Sequence, residues 1–456
     1  MPDINKTVPL ERRFAKLALA MLLIAALGFA VTRLWPRNIP AEPTIESLGV
    51  RKLSYGPSDF AAAIEQADSR VELGRERVAR DPLSWANQES LGSALMARAR
   101  LTGDFDDLLN SGAAFESGVK SAPNGSGPQM GHAVHNMMVH RLTAVAPDLA
   151  MLSRSAVPLS KDEQAEIEAM RGDLAFYGGN YQAAQTAYAK ADMTAADTSI
   201  TYRMAIWAKA MGDADSALTL FSKAARINSA PTAPFIANVM LQAGSVELMR
   251  GNWAKASALF AIADKRFPGS WLITAHRAQM LALKGDFAAA ERLYLGSIEL
   301  SKSPEVMDAL AALYRATGDA DASRKWAALS AGIWAKRLSA LPEAAYGHAL
   351  EHELTLGDPK RALDLARKNH FARPFGDSKI LLATAMIANN RPLPAIRLLD
   401  AVSASGWKTA AQYVALFQAY SMIGESAKAE TARADALAIN PRAFDRNASL
   451  IWFGHH

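Results

Sequence analysis

The residues with the clearest capacity for chemistry form the string His348-Ala349-Leu350-Glu351-His352. It matches the H-x-x-E-H pattern, in which two histidines four residues apart share a helix face and bind zinc beside a glutamate. A third ligand would have to come from elsewhere in the chain. An incidental pair of exposed or half-buried histidines is the alternative. A metal-binding or metallopeptidase-like function at His348, Glu351 and His352 is therefore one hypothesis.

A second group of potential metal ligands combines His132, His135 and His140 with Met137 and Met138. Imidazole and thioether groups together suit copper. On a helix His132 and His135 would share a face while His140 is rotated away, so only two imidazoles would converge. In the alternative interpretation the methionines belong to a core and the histidines to its rim. The cluster extends the metal hypothesis without completing a site.

Composition excludes several kinds of catalytic site. The 456 residues include no cysteine, which rules out disulfides, cysteine nucleophiles and thiolate metal centres. No G-x-x-x-x-G-K or G-x-S-x-G string occurs, and the glycines of residues 125–131 lie in a proline-containing loop. Basic residues are scattered over a chain of net charge +5, which argues against a nucleic-acid partner. We therefore expect a protein that is not an enzyme and holds no cofactor or metal.

An apolar run near the amino terminus predicts a membrane anchor at residues 17–35. Residues 17–32 carry no charge, and the run continues past Arg33 towards the roughly 20 residues that a spanning helix needs. More basic than acidic residues precede it, so the positive-inside rule places residues 1–16 in the cytoplasm. The chain would then be single-pass in the inner membrane, with its bulk in the periplasm. A cleaved signal peptide, a buried soluble helix and a reversed orientation are the alternatives.

Beyond the anchor the chain divides by composition and patterning. Residues 36–57 contain prolines and little periodicity, which is typical of a linker. Helical patterning starts after Ser58 and Asp59, and residues 58–160 are predicted to form degenerate helical repeats around the turn-rich loop 121–131. A capping box, Ser160 to Glu163, opens the more regular region 161–443. Residues 444–456 remain as a C-terminal tail.

A small turn recurs through the regular region at intervals of 33, 39, 34, 33, 39, 33 and 34 residues. Its first two residues are Gly179-Asn180, Gly212-Asp213, Gly251-Asn252, Gly285-Asp286, Gly318-Asp319, Gly357-Asp358, Asn390-Arg391 and Gly424-Glu425. Five residues after the first turn position stands alanine in seven cases and Ser323 in the eighth. Seven residues before it the side chain is small in six of the eight units. Nine residues after it the first four units carry Tyr188, Phe221, Phe260 and Tyr294.

These spacings resemble the tetratricopeptide repeat, a helix–turn–helix unit of about 34 residues. Small residues let two antiparallel helices approach closely, and glycine supplies the left-handed backbone of the turn between them. The resemblance covers residues 162–442 in about eight units and implies an all-α solenoid of helical hairpins with a concave groove. Leu350 and Phe417 stand where small residues are expected. The two 39-residue intervals predict longer helices or irregular units, and Gly103-Asp104 marks a ninth, stretched unit.

In this family the first helix of each unit lines the groove. Carried over by position, the candidate groove residues are Asp173, Phe176, Tyr202, Lys209, Gln279, Asp308, Arg315 and Glu351. Their mixed charge and few aromatic rings favour a polar peptide partner. The sequence therefore predicts a membrane-anchored scaffold or chaperone that binds other proteins or peptides in the bacterial envelope. The alternative function is metal binding or peptidase chemistry at the histidines above.

Overall fold

The computed structural model describes residues 44–53, 55–124 and 126–453. These ranges contain 21 α-helices, two short 3₁₀ helices and no strand. The predicted cytoplasmic tail at residues 1–16 and the predicted anchor at residues 17–35 lie outside them. Within the described ranges no helix combines the length and the apolar character that a bilayer crossing requires.

The helices follow one another with short connections. Their bounds are α1 Phe60–Arg80, α2 Trp85–Thr102, α3 Phe105–Ser121, α4 Gln129–Met138, α5 Leu142–Leu152, α6 Lys161–Tyr177, α7 Tyr181–Thr194, α8 Thr198–Ala210, α9 Ala214–Ile227, α10 Ala233–Met249, α11 Trp253–Arg266, α12 Trp271–Lys284, α13 Phe287–Ser301, α14 Pro304–Thr317, α15 Ala320–Ala340, α16 Pro342–Thr355, α17 Pro359–Ala372, α18 Gly376–Ala388, α19 Pro392–Ala404, α20 Ala410–Met422 and α21 Ser426–Ile439. Helix α1 is followed by ten hairpins, which we number 1 to 10 from α2–α3 to α20–α21. The all-α solenoid that the spacing predicts is confirmed.

The recurring turn has a simple local construction. Gly179 takes the left-handed conformation at φ +79°, and Gly212 and Gly285 do the same. The side chain of the next residue then caps the second helix: Asn180 accepts a hydrogen bond from the backbone N–H of Ala183 at 3.1 Å. All four aspartates at the second position of the recurring turn cap the N–H two or three residues on in the same way. The glycine–Asx pair therefore ends one helix and starts the next.

Close contact within each hairpin depends on the small residues that recur in the sequence. The eight positions five residues after the turn are all buried, at Ala184, Ala217, Ala256, Ala290, Ser323, Ala362, Ala395 and Ala429. On the facing helix of hairpin 5, a Cβ at Gly244 would collide with the ring of Phe260. The aromatic residue thus fills the space that its small partner leaves open. This pairing of large with small holds the two helices together.

The two long intervals have longer helices, as predicted. Helix α10 has 17 residues and α15 has 21, whereas α12 and α14 have 14 each. Hairpin 1 turns at Gly103, which confirms the predicted ninth unit. Hairpin 2 turns without glycine: His140 takes the left-handed conformation at φ +62°. No sequence pattern pointed to that turn, because a left-handed histidine is uncommon.

Successive turns of the superhelix touch along what we call the inter-turn seam, where the turn of one hairpin meets the loop that lies six hairpins later. The backbone N–H of Gly376 donates to the hydroxyl of Tyr181 at 2.7 Å, across 195 residues. The N–H of Lys408 donates to the carbonyl of Ala210 at 3.1 Å. Further along, the guanidinium of Arg442 lies 4.6 Å from the ring centre of Trp253. Hairpins six apart along the array are therefore in direct contact.

Part of the predicted linker also packs on the array. Ile45 and Leu48 are buried beside a 3₁₀ turn, Glu46–Val50, that contacts α9, α10 and α11. Arg51 donates to the carbonyl of Ala225 at 2.7 Å. Residues 44–53 are thus attached along the second helices of hairpins 4 and 5.

Candidate functional site

All eight candidate groove residues lie on first helices of hairpins. Asp173 and Phe176 are on α6, Tyr202 and Lys209 on α8, Gln279 on α12, Asp308 and Arg315 on α14, and Glu351 on α16. Their surroundings differ widely, from the fully buried Gln279 to the exposed Arg315, which donates to the carbonyl of Thr355. Binding of a partner at these residues stays a prediction.

The two candidates on α6 both contact other helices of the array. Asp173 accepts hydrogen bonds from the Tyr188 hydroxyl at 2.8 Å and from Arg203 Nε at 2.9 Å. Burial raises the pKa of Asp173 against the opposing effect of Arg203. Phe176 packs against Trp407, with ring centres 5.8 Å apart, in an aromatic cluster at the inter-turn seam. These side chains stabilise the hairpin and the seam.

The two candidates on α8 are less enclosed. Tyr202 packs edge-on against Phe221 and accepts a hydrogen bond from Asn238 at 2.9 Å. Lys209 donates to the Ser245 hydroxyl at 3.1 Å. Desolvation by burial lowers the pKa of Lys209 to about 8, although the charge of Asp377 opposes the shift. At neutral pH Lys209 is therefore an ammonium ion whose burial in the groove wall costs folding free energy.

The H-x-x-E-H string does not form a metal centre in the structure. His352 is 4% exposed, and its Nδ1 lies 2.7 Å from a carboxylate oxygen of the buried Asp308. Asp308 also accepts from Trp334 Nε1 at 2.9 Å and from the Ser330 hydroxyl. His348 instead pairs with Glu351 at 3.3 Å. The two histidines are thus committed to different partners.

The second histidine group is also divided among separate partners. His132 Nδ1 lies 3.0 Å from Asp148, whose other oxygen accepts from Asn136 at 3.1 Å. His135 Nε2 donates to the carbonyl of Leu108 at 2.9 Å, and burial lowers its pKa. His140 forms the turn of hairpin 2. Over the described part of the chain, no three His, Asp or Glu side chains converge as metal ligands.

The concave face carries a segment of the chain itself. After α21 the backbone crosses the seam at Asn440, and the Asn447 amide donates to the carbonyl of Leu283 at 3.2 Å. The consecutive backbone N–H groups of Trp452 and Phe453 then both donate to Gln279 Oε1, at 2.6 and 2.8 Å. We call residues 447–453 the C-terminal segment.

Side chains of the C-terminal segment are inserted between first helices. Phe453 is 1% exposed, with its ring centre 5.5 Å from that of His276, and Leu450 is 4% exposed. Trp452 closes a cavity of about 10 Å³, room for roughly one water molecule. The cavity is otherwise lined by Glu305, Asp308, Trp334, His348 and Glu351.

The wall around Trp452 is acidic. Glu305 pairs with Arg337 at 2.9 Å; burial alone would raise the pKa of Glu305, but Arg337 and His348 together hold it below its ordinary value. Glu305 is therefore ionised at neutral pH. Gln279, Asp308 and Glu351 are among the candidate groove residues, but nothing in the predicted tail indicated that Trp452 and Phe453 would lie against them.

A wider depression of about 720 Å³ lies beside residues 442–447. It is lined by Trp253, Ala254, Ser257, Ala258, Ala261, Leu283, Lys284, Arg442, Asp445 and Asn447. Its floor is the alanine-rich outer face of α11. It is an open surface hollow rather than an enclosed pocket.

No family model matches the chain, and no curated protein matches it. Solved structures with some similarity include a tetratricopeptide repeat protein from Parabacteroides merdae, with 15% identity and a TM-score of 0.34 over 57% of this chain and 99% of that one. PilF of Pseudomonas aeruginosa has 13% identity and a TM-score of 0.27 over 45% and 92% of the two chains. Yeast Tom70 has 16% identity and a TM-score of 0.32 over 84% and 98%.

Proposed function

We propose that this chain is a protein-binding scaffold whose stacked hairpins hold a peptide segment of another protein on the concave face. The observation that carries the proposal is the mode in which that face holds residues 447–453. One glutamine oxygen accepts two backbone N–H groups, and an aromatic side chain is inserted beside it. Backbone recognition combined with apolar insertion is how grooves of this kind bind peptides.

A binding role, rather than catalysis, is favoured by how the buried polar residues are used. In the described ranges, three buried polar residues form hydrogen bonds with side chains on neighbouring helices of the array. They are Asp308, Asp173 and His352. Buried groups with satisfied partners stabilise a fold and are poorly available to a substrate. We therefore propose that the protein is not an enzyme.

Photo-crosslinking from matched positions tests the scaffold proposal. Arg315 on α14 and Arg324 on α15 are both exposed, the first on a groove-lining helix and the second on an outer helix. A photoreactive residue at position 315 of the full-length protein in intact cells should capture a partner protein, whereas position 324 should capture it much less. Absence of ultraviolet-dependent products at position 315 would contradict the proposal.

We further propose that the scaffold is anchored in the inner membrane through residues 17–35 and faces the periplasm. The support is the apolar run with basic residues before it. Because the chain has no cysteine, Met193→Cys provides a single thiol at an 81% exposed position. A membrane-impermeant maleimide should label it in intact spheroplasts. Labelling only after lysis would favour a cytoplasmic array.

A further inference from the structure

We propose that the C-terminal segment is an intramolecular competitor, which occupies the concave site and must be displaced when a partner's peptide segment binds there. This inference rests on the proposed scaffold function and names its regulation and its partner chemistry. It follows from three features of residues 447–453: the contacts that hold them, the buried hydrogen-bond donors left without partners, and the charged side chains nearby.

The contacts that hold the segment are of a kind that another peptide can reproduce. Gln279 Oε1 binds backbone N–H groups, which every residue except proline carries. The ring of Phe453 extends an aromatic row that begins with Phe260 and His276, whose ring centres are 4.7 Å apart. The site therefore selects a backbone whose two consecutive N–H groups converge on one acceptor, with an aromatic side chain at a fixed position, and it does not require this particular chain.

The segment is also an imperfect ligand. Trp452 Nε1 and Gln279 Nε2 are buried without a hydrogen-bond partner among the described residues. Its regular structure is limited to a 3₁₀ turn of three residues, Ala448–Leu450. Unpaired buried donors weaken an interface. The covalent connection to α21 offsets this weakness, because it gives the segment a high effective concentration at the site.

Charge defines the partner. The wall beside Trp452 carries the carboxyl groups of Glu305, Asp308 and Glu351, each of which also has a partner side chain within the array. The chain that leads into the site carries Arg442 and Arg446. We therefore expect a partner segment with basic residues upstream and an aliphatic residue two positions before a pair of aromatic residues, as in Leu450-Ile451-Trp452-Phe453. Upstream basic residues would favour association with an acidic wall.

The experiment compares full-length wild type with a full-length double variant, Trp452→Ala/Phe453→Ala. A fluorescent peptide of residues 443–456 is titrated against each and its anisotropy is measured. We expect the double variant to bind the peptide at least tenfold more tightly than wild type. Adding Gln279→Ala to the double variant should remove this gain, and a peptide with both aromatic residues replaced by alanine should not bind. The control, Phe371→Ala, changes a 91% exposed phenylalanine elsewhere and should behave as wild type.

Equal peptide affinity for wild type and for a double variant with an unchanged circular dichroism spectrum would overturn the inference. If the double variant does not fold, hydrogen exchange of wild type decides instead. Saturating peptide should then accelerate exchange at the amides of Trp452 and Phe453, and unchanged exchange would refute displacement. Peptide-independent dimers that exchange their segments would also refute it, because the occupant would be a second copy.

These outcomes are separable from failure of the scaffold proposal. If position 315 captures no protein in either wild type or the double variant, the scaffold function fails whatever the peptide does. If both capture the same protein equally well, the scaffold function stands and the competitor role is rejected.

Discussion

At the scale of single residues, side chains that suggested chemistry in the sequence serve the fold. His348 and His352 lie four residues apart on α16, as the zinc hypothesis required, yet His352 turns into the hairpin interface to meet Asp308. A buried carboxylate is stable only when donors surround it, and Asp308 has three. The zinc pattern was a coincidence of spacing, because a sequence does not tell which way each imidazole points.

Lys209 provides a pH-dependent prediction at the same scale. Its pKa is about 8 in the fold against an ordinary value of 10.5, so between these two pH values the unfolded chain binds more protons and stability rises with pH. Lys209→Met should therefore raise the free energy of unfolding at pH 7 by about 1–3 kcal/mol. This gain should shrink between pH 8 and 10.5.

Urea unfolding midpoints of both proteins at pH 7 and pH 10 measure the effect. Lys190→Met is the control, because that lysine is 62% exposed and pairs with Glu168 at the surface. A gain for Lys209→Met that is the same at both pH values would contradict the titration argument.

At the scale of helices and hairpins, the repeat pattern predicted the positions of contact. The alanine that stands five residues after the first turn residue is buried in all seven units that have it. Phe417, an exception at a position that should be small, packs edge-on against Phe444, with ring centres 5.2 Å apart. The exception therefore has a partner in the chain that follows α21. Helix periodicity is local in sequence, which is why this level of structure was predictable.

Overpacking at one of these alanines tests the hairpin contact. Ala184 in α7 has no exposed surface, whereas its neighbour Ala183 faces solvent. Ala184→Leu should lower the free energy of unfolding by about 1–3 kcal/mol, because the added methylenes have no space between the helices. Ala183→Leu should change it by less than about 0.5 kcal/mol. Equal thermal shifts for the two variants would argue against close contact at Ala184.

At the scale of the whole molecule, the inter-turn seam adds contacts between distant hairpins. Arrays of this type are stabilised mainly by contacts between neighbouring units. Here hairpins six apart also touch, through Tyr181 and Gly376 and through Ala210 and Lys408. The seam therefore couples distant hairpins.

Substitutions at two glycines distinguish the stability that the seam contributes from the cost of a left-handed backbone in a turn. Gly179 and Gly285 have φ values of +79° and +85°, but a Cβ at Gly179 would lie 2.7 Å from the carbonyl oxygen of Pro374, while a Cβ at Gly285 would meet nothing within 4 Å. Gly285→Ala should cost about 1–2 kcal/mol for its left-handed backbone. Gly179→Ala should cost about 1–3 kcal/mol more, through overpacking of the seam. Identical melting temperatures for the two variants would mean that the seam carries little stability.

The sequence by itself determined the helical class, the hairpin turns, their caps and the small residues at each helix contact. These features arise from periodicity and turn chemistry within about one repeat unit. Only the tertiary structure decided that hairpins six apart meet, that Asp308 holds His352, and that residues 447–453 lie on Gln279. Small rotations between neighbouring units add up over a superhelical turn, so a contact nearly 200 residues away has no local signature.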